Sequence, residues 1–249
     1  MNKVKILGVG FDNLSLQEVL EKVKNFLKSK NQHFIVTPNP EFLVAANRDG
    51  EFKKILNYAD IAITDGAGVF YAAKFFYGQR LQRITGVDLM WHICEISQDQ
   101  QWPIFLLGGE SGIAEDVKKV ITKHFPQINI VGVESGGKVI DPQSHDAALV
   151  AKINTTNPAI LFVAFGQNKQ EKWIFNHLDR LPSVKLAMGV GGSFDYIAGR
   201  VSRAPKFLRR WGLEWLYRLI KEPRRYKRIF NAIIIFPLLI LKSKILKNV

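Results

Sequence analysis

The chain has 249 residues, 47% of them hydrophobic and 23% charged. That balance excludes wholesale disorder, and the length allows a core without metal or disulfide staples. One cysteine, Cys94, excludes an intrachain disulfide and a cysteine-based zinc site. Lys and Arg number 35 against 22 Asp and Glu, a net charge of +13. Spread evenly, that excess would suggest a nucleic-acid binder. It is concentrated instead: residues 200–249 hold 14 bases and 2 acids, or +12, and residues 1–199 carry +1.

Residues 4–11 predict a strand. A helix over 15–27 opens at Ser15 with Glu18 three residues on, a capping box. Its apolar residues Leu16, Val19, Leu20, Val23 and Leu27 share one face. A strand over 33–37, a helix beginning at 40–46, a strand over 61–64 and helices over 66–76 and 87–96 follow. Polar residues 98–101 suggest a seam between two half-sheets. The alternation then restarts, with strands over 103–107, 129–133, 159–164 and 185–188 and helices over 112–124, 144–153 and 169–178. Such alternation predicts an α/β fold with a mainly parallel sheet covered on both faces. After Gly199 two helices are expected, over 205–220 and 223–236, each with proline at or near its first position. Phe207, Trp211, Trp215, Tyr217, Tyr226 and Phe230 interleave with the bases there. The chain is therefore divided into a core, 1–199, and a helical appendage, 200–249. Its longest apolar stretch, 229–241, is interrupted by Asn231 and Pro237, which argues against a membrane span. The first ten residues predict no signal peptide.

In parallel α/β sheets ligands sit at the carboxyl ends of the strands. Five such edges, together with Arg83 beside a helix start, carry candidate chemistry. In Thr37-Pro38-Asn39-Pro40-Glu41 two prolines fix the backbone around two polar side chains, although Asn39 also suits a helix N-cap. In Thr64-Asp65-Gly66-Ala67-Gly68 the carboxylate suits a general base. The alternative is a cap on the next helix, with a lowered pKa. Arg83 stands beside a helix start, where it can pair with phosphate or simply face solvent. Gly108-Gly109-Glu110-Ser111-Gly112 places glycines before a helix, where backbone amides can approach a diphosphate, but the spacing is not G-x-G-x-x-G. The segments 165–171 and 189–195 close the last two strands with Gly166, Gln167, Gly191, Gly192 and Asp195, the last again a possible cap. The chain contains no Asp-x-Asp, so a nucleotide diphosphate would be held by amides, helix dipoles and arginines rather than through a carboxylate-bound metal.

The segments Thr-Pro-Asn-Pro-Glu (37–41), Ile-Thr-Asp-Gly-Ala-Gly-Val (63–69), Arg-Ile-Thr-Gly-Val-Asp-Leu (83–89), Phe-Gly-Gln-Asn-Lys-Gln-Glu (165–171) and 189–199, then Arg203-Ala204-Pro205 and 214–218, occur in order across almost the whole chain. Together they resemble the WecG/TagA/CpsF glycosyltransferase family. The resemblance implies a Rossmann-like core and an inverting transferase that needs no metal or other cofactor. One branch moves N-acetylmannosamine from UDP to the 4-hydroxyl of the GlcNAc on undecaprenyl diphosphate, leaving a β-1,4 lipid-linked disaccharide of wall teichoic acid synthesis. Another uses an N-acetylmannosaminuronic acid donor, and no motif separates the two. For this chemistry Asp65 is the candidate base. Thr37, Asn39 and Gln167 would orient sugars. Gly108, Gly109, Gly166, Gly191, Gly192 and Asp195 would shape the UDP pocket. Arg83 and Arg203 would offset phosphate charge, Arg218 and Arg224 are the appendage's candidate substrate-binding residues, and some of the appendage arginines would bind the lipid diphosphate.

A polyprenyl acceptor stays in the bilayer, so the basic, aromatic appendage is expected to lie on an anionic membrane surface at the cytoplasmic face without crossing it. Alternatively, Ile233, Ile234 and Leu238 pack on the body or on another subunit of a homo-oligomer. Two other classes fit parts of the sequence. An NAD-dependent oxidoreductase would use the glycine turns, with Glu134 as the acid for the adenosine ribose. A nucleic-acid binder would use the basic tail, but the charge partition argues against nucleic acid as the partner.

Overall fold

A computed structural model describes residues 3–135 and 147–245 of the chain. Strands β1 (Val4–Ile6) and β2 (Val9–Phe11) form an antiparallel hairpin where one strand was expected. Leu7 and Gly8, with φ of 50° and 82°, make the two-residue turn between them. Helix α1 (Leu16–Lys28) starts as its sequence dictates: Ser15 Oγ accepts from Glu18 N–H, and Glu18 accepts from Ser15 N–H at 2.8 Å.

The remaining strands are β3 (His33–Val36), β4 (Ile61–Ala62), β5 (Ile104–Gly108), β6 (Ile130–Glu134), β7 (Ile160–Ala164) and β8 (Leu186–Gly189). They form one parallel sheet in the order β4-β3-β8-β7-β5-β6. No seam divides it. The last strand, β8, lies between β3 and β7 and joins the two halves, and residues 98–101 form the end of a helix. Strand β7 is buried at every position, as a sheet covered on both faces requires. Phe105, Leu107, Leu161 and Val163 enter one core layer, while Ile104, Leu106, Ile160 and Phe162 enter the other.

Helices α2 (Pro40–Arg48), α3 (Gly50–Tyr58), α7 (Ala147–Thr155) and α8 (Lys169–His177) contribute to the first layer. Helices α5 (Gly86–Gln100) and α6 (Ile113–His124), with α1, contribute to the second. Helix α4 (Ala67–Tyr77) follows β4, and α9 (Ser193–Ile197) follows β8. Helix α3 was not expected from the pattern. Its first helical position is a glycine, a poor helix former, but Asp49 caps it by accepting from Phe52 N–H at 3.0 Å. The expected start of α7, residues 144–146, lies outside the described residues.

The C-terminal segment departs most from expectation. The helix predicted over 205–220 is divided at Gly212, φ 74°, into α10 (Lys206–Arg210) and α11 (Glu214–Lys221). The next begins as a 3₁₀ turn, Pro223–Arg225, continues as α12 (Tyr226–Phe230), widens into a π-helical turn, Asn231–Ile235, and runs on as α13 (Phe236–Ile245). Pro237 does not end it. The preceding π turn, in which Phe236 N–H bonds the Asn231 carbonyl, gives the proline ring room that a regular α-helix denies it. Phe236 and Ile240 are buried in the first core layer, against α2 and α4. Ile234, Leu238, Leu241 and Ile245 face outward. No described helix is long and apolar enough to cross a membrane.

Candidate active site

The carboxyl ends of the strands open into one cleft of about 1380 Å³. Its floor is the parallel sheet and its far wall is the C-terminal segment. Of the sequence-predicted residues, Thr37, Asn39, Asp65, Arg83, Gly109, Gly166, Gln167, Gly191, Gly192, Asp195 and Arg218 line it together.

Asp65 follows β4. Thr64 makes a parallel bridge with Arg83, Asp65 N–H donates to the Pro38 carbonyl at 3.2 Å, and Gly68 packs so tightly on Pro40 that a Cβ there would fall 2.6 Å from the ring. The Asp65 loop and the Thr37–Pro40 loop are thereby held side by side. Asp65 does not cap α4, whose N-cap, Gly66, has no side-chain hydrogen bond. Its pKa is accordingly raised, to about 7. Burial is the main cause and the negative charge of Glu214 the second; Arg218, the Gly86 N–H and Arg83 pull the other way. A carboxyl in this range can exchange protons at neutral pH.

Asn39 does cap its helix: Oδ1 accepts from Glu41 N–H at 2.9 Å and Phe42 N–H at 3.2 Å, which leaves its amide NH2 as the group to meet a ligand. Asp195 likewise is not an N-cap, since the N-cap of α9 is Gly192 and has no side-chain hydrogen bond. Its pKa is raised by burial, and Glu110 and Glu222 add to the rise against Arg225 and Arg218.

The glycine loop after β8 is fixed from β7's side. Gln170 Oε1 accepts from Gly191 N–H at 2.9 Å, and its Nε2 donates to Glu171 Oε1 at 2.6 Å. Glu171 Oε2 accepts from Asn168 N–H at 2.7 Å. A Cβ at Gly189 would lie 2.6 Å from both side chains, so only glycine allows this packing. Burial pushes Glu171 up to about 7 despite its hydrogen bonds.

Three predicted residues take other places. Gly108 is not among the cleft residues. A Cβ there would lie 2.7 Å from the Ala164 carbonyl carbon, so the glycine serves the close approach of β5 to β7. Arg203 is also off the cleft wall. It grips Asp88 with two nitrogens, at 2.7 and 3.2 Å. Although burial opposes it, this pairing and the Thr85 hydroxyl hold the Asp88 pKa below its usual value. Arg224 is exposed, and its neighbours Arg225 and Arg228 line the cleft instead. Arg225 Nε pairs with Glu222, and Arg228 Nε with Glu41 at 2.7 Å. Glu134, the candidate for a ribose, pairs with Lys152 and is not among the residues that line the cleft.

Arg209, Glu214, Tyr196, Arg225 and Arg228 were missed. A partial spacing signal existed: Glu214 and Arg218 stand four apart on α11, a spacing that returns to one helix face, and Arg225 and Arg228 stand three apart at the start of the next helical stretch. One side of the cleft is apolar: Tyr71, Phe75 and Phe76 of α4 line it together with Ile233, Phe236 and Pro237. Around its mouth Trp211 is 73% exposed and Phe75 69%.

Comparison with known sequences places the chain in a family. The sequence model of the glycosyl transferase WecG/TagA/CpsF family matches residues 4–249. Proteins of Staphylococcus aureus strains MRSA252, MW2 and NCTC 8325 / PS 47 named N-acetylglucosaminyldiphosphoundecaprenol N-acetyl-beta-D-mannosaminyltransferase are each 34% identical over 244 residues, covering 97% of this chain and 93% of theirs.

Proposed function

The chain belongs to the WecG/TagA/CpsF family of glycosyltransferases, and we propose that it transfers N-acetylmannosamine from UDP-N-acetylmannosamine to the 4-hydroxyl of GlcNAc-diphospho-undecaprenol. The product is the β-1,4 lipid-linked disaccharide used in wall teichoic acid synthesis. The observation that carries this reading is a single cleft joining a carboxyl poised near neutrality, an array of guanidiniums and an apolar wall.

Each part has a task. Asp65 takes the proton of the acceptor hydroxyl as its oxygen bonds to the anomeric carbon. The bond from that carbon to UDP breaks on the opposite face, so the configuration inverts. UDP leaves with the electron pair, its charge met by backbone amides after β5 and β8 and by Arg83. Thr37, Asn39 and Gln167 hydrogen-bond the sugars. Arg218, Arg225 and Arg228 suit the acceptor diphosphate, and the wall formed by α4 and α13 suits the first prenyl units. The exposed aromatics and bases of residues 200–245 would rest on an anionic bilayer at its cytoplasmic face.

Asp65→Asn tests the base assignment. Transfer is expected to fall by about 10²- to 10⁴-fold, while UDP affinity measured by calorimetry stays near the unaltered value. Near-normal turnover would remove Asp65 from the role.

A further inference from the structure

The bend between α10 and α11 is seated on the segment that carries Asp65. Gly212 takes φ +74°, and a Cβ there would lie 2.7 Å from Ala67 Cβ and 3.4 Å from the Tyr71 ring. Ala67 is the first residue of α4, two after Asp65. On the other side, Arg83 donates to the Arg209 carbonyl at 3.1 Å and is itself bridged to Thr64. These two ties fix the start of α11 across Asp65.

From α11, Glu214 and Arg218 project one turn apart into the cleft. Opposite charges at this spacing commonly pair, but here Tyr196 stands between them. Its hydroxyl donates to Glu214 Oε1 at 3.3 Å, and the Arg218 guanidinium lies over its ring, 4.8 Å from the centroid. Arg218 Nε is buried with no hydrogen-bond partner among the described residues. The charged groups acting on Asp65 are Glu214 and Arg218 from α11 and Arg83 from the loop before α5; Arg203 also faces Glu214.

We propose that Glu214 is a positioning residue for proton transfer: held by Tyr196, its side chain lines the cleft with Asp65 and assists that base only when the C-terminal segment is docked. This rests on the assignment of Asp65 as the base. An anionic acceptor drawn to Arg218 would offset the one α11 charge that opposes Glu214, so the base strengthens as the acceptor arrives. The proton passes from the acceptor hydroxyl to Asp65, and Glu214 neither gains nor loses one.

The test is the pH profile of kcat for the full chain with UDP-N-acetylmannosamine and a short-chain polyprenyl-diphosphate GlcNAc. In Glu214→Gln the acid limb is expected to move down by about half a pH unit or more. The plateau should fall several-fold, with KM for the UDP-sugar within about twofold. Glu214→Asp should restore the limb. An unchanged limb in Glu214→Gln overturns the proposal. Asp65→Asn, run alongside, separates the two ideas: near-normal turnover there removes the base assignment itself. An inactive Asp65→Asn with an unmoved limb in Glu214→Gln removes only the role of Glu214. Should Glu214→Gln turn over too slowly, the Asp65 titration can be followed by carboxyl ¹³C NMR in both proteins. A lower midpoint in the variant supports the proposal, and equal midpoints contradict it.

Discussion

At Asp65 burial and a neighbouring carboxylate compete with two guanidiniums and a backbone amide, and burial wins. The same balance holds at Glu171, where three hydrogen bonds fail to offset desolvation. Both groups bind their proton more tightly in the folded chain than in the unfolded one, so each removes stability as pH rises from its ordinary value towards about 7. Glu171→Gln, which cannot titrate, should lose its share of that slope, on the order of 1 kcal/mol per pH unit between pH 5 and 7. Urea unfolding of both proteins across that range checks it; parallel slopes would contradict the burial of Glu171. The motif residues that line the cleft were legible one by one, because they follow strands and carry polar side chains or glycine. Whether Asp65 caps a helix was not legible. That depends on the position of Gly66, and the raised pKa depends in part on Glu214, a charge 149 residues away in sequence. Arg203 shows the converse limit: its partner Asp88 lies 115 residues away, and no local pattern reveals that the guanidinium is already engaged.

Among the elements, the central strands and most of the core helices could be read from periodicity and caps, since burial on both faces leaves unbroken apolar runs. The C-terminal helices could not. Gly212 was hidden inside an otherwise helical pattern, and Pro237 suggested a stop that the π turn before it avoids. What holds this segment is the burial of Ile229, Phe236 and Ile240, not helix propensity. Phe236→Ala should therefore cost about 3 kcal/mol or more of local packing and release the segment while the sheet stays folded. Limited proteolysis would show faster cleavage after Gly199, and transfer to a lipid acceptor should fall with it. Equal protection in the variant would mean that the segment is held by something other than this contact.

For the molecule as a whole, the net charge of +13 divides into a near-neutral body and a +12 segment, and the fold turns that division into geometry. The basic segment forms one wall of the cleft and also carries outward-facing Ile220, Phe230 and Leu238. Vesicle flotation should show binding to bilayers containing anionic lipid, weaker binding to zwitterionic ones, and loss of the difference as salt rises. Salt-insensitive binding, equal for both lipids, would contradict an electrostatic contribution. The central claim is narrower and is tested by one product analysis. The full-length protein is incubated with UDP-N-acetylmannosamine, and separately with the uronic acid donor, together with a short-chain polyprenyl-diphosphate GlcNAc. Products are then identified by mass and linkage. The account predicts a β-1,4-linked N-acetylmannosaminyl-GlcNAc diphospholipid and free UDP from the first donor. Transfer from the uronic donor alone, an α linkage, or no disaccharide from either donor would contradict it.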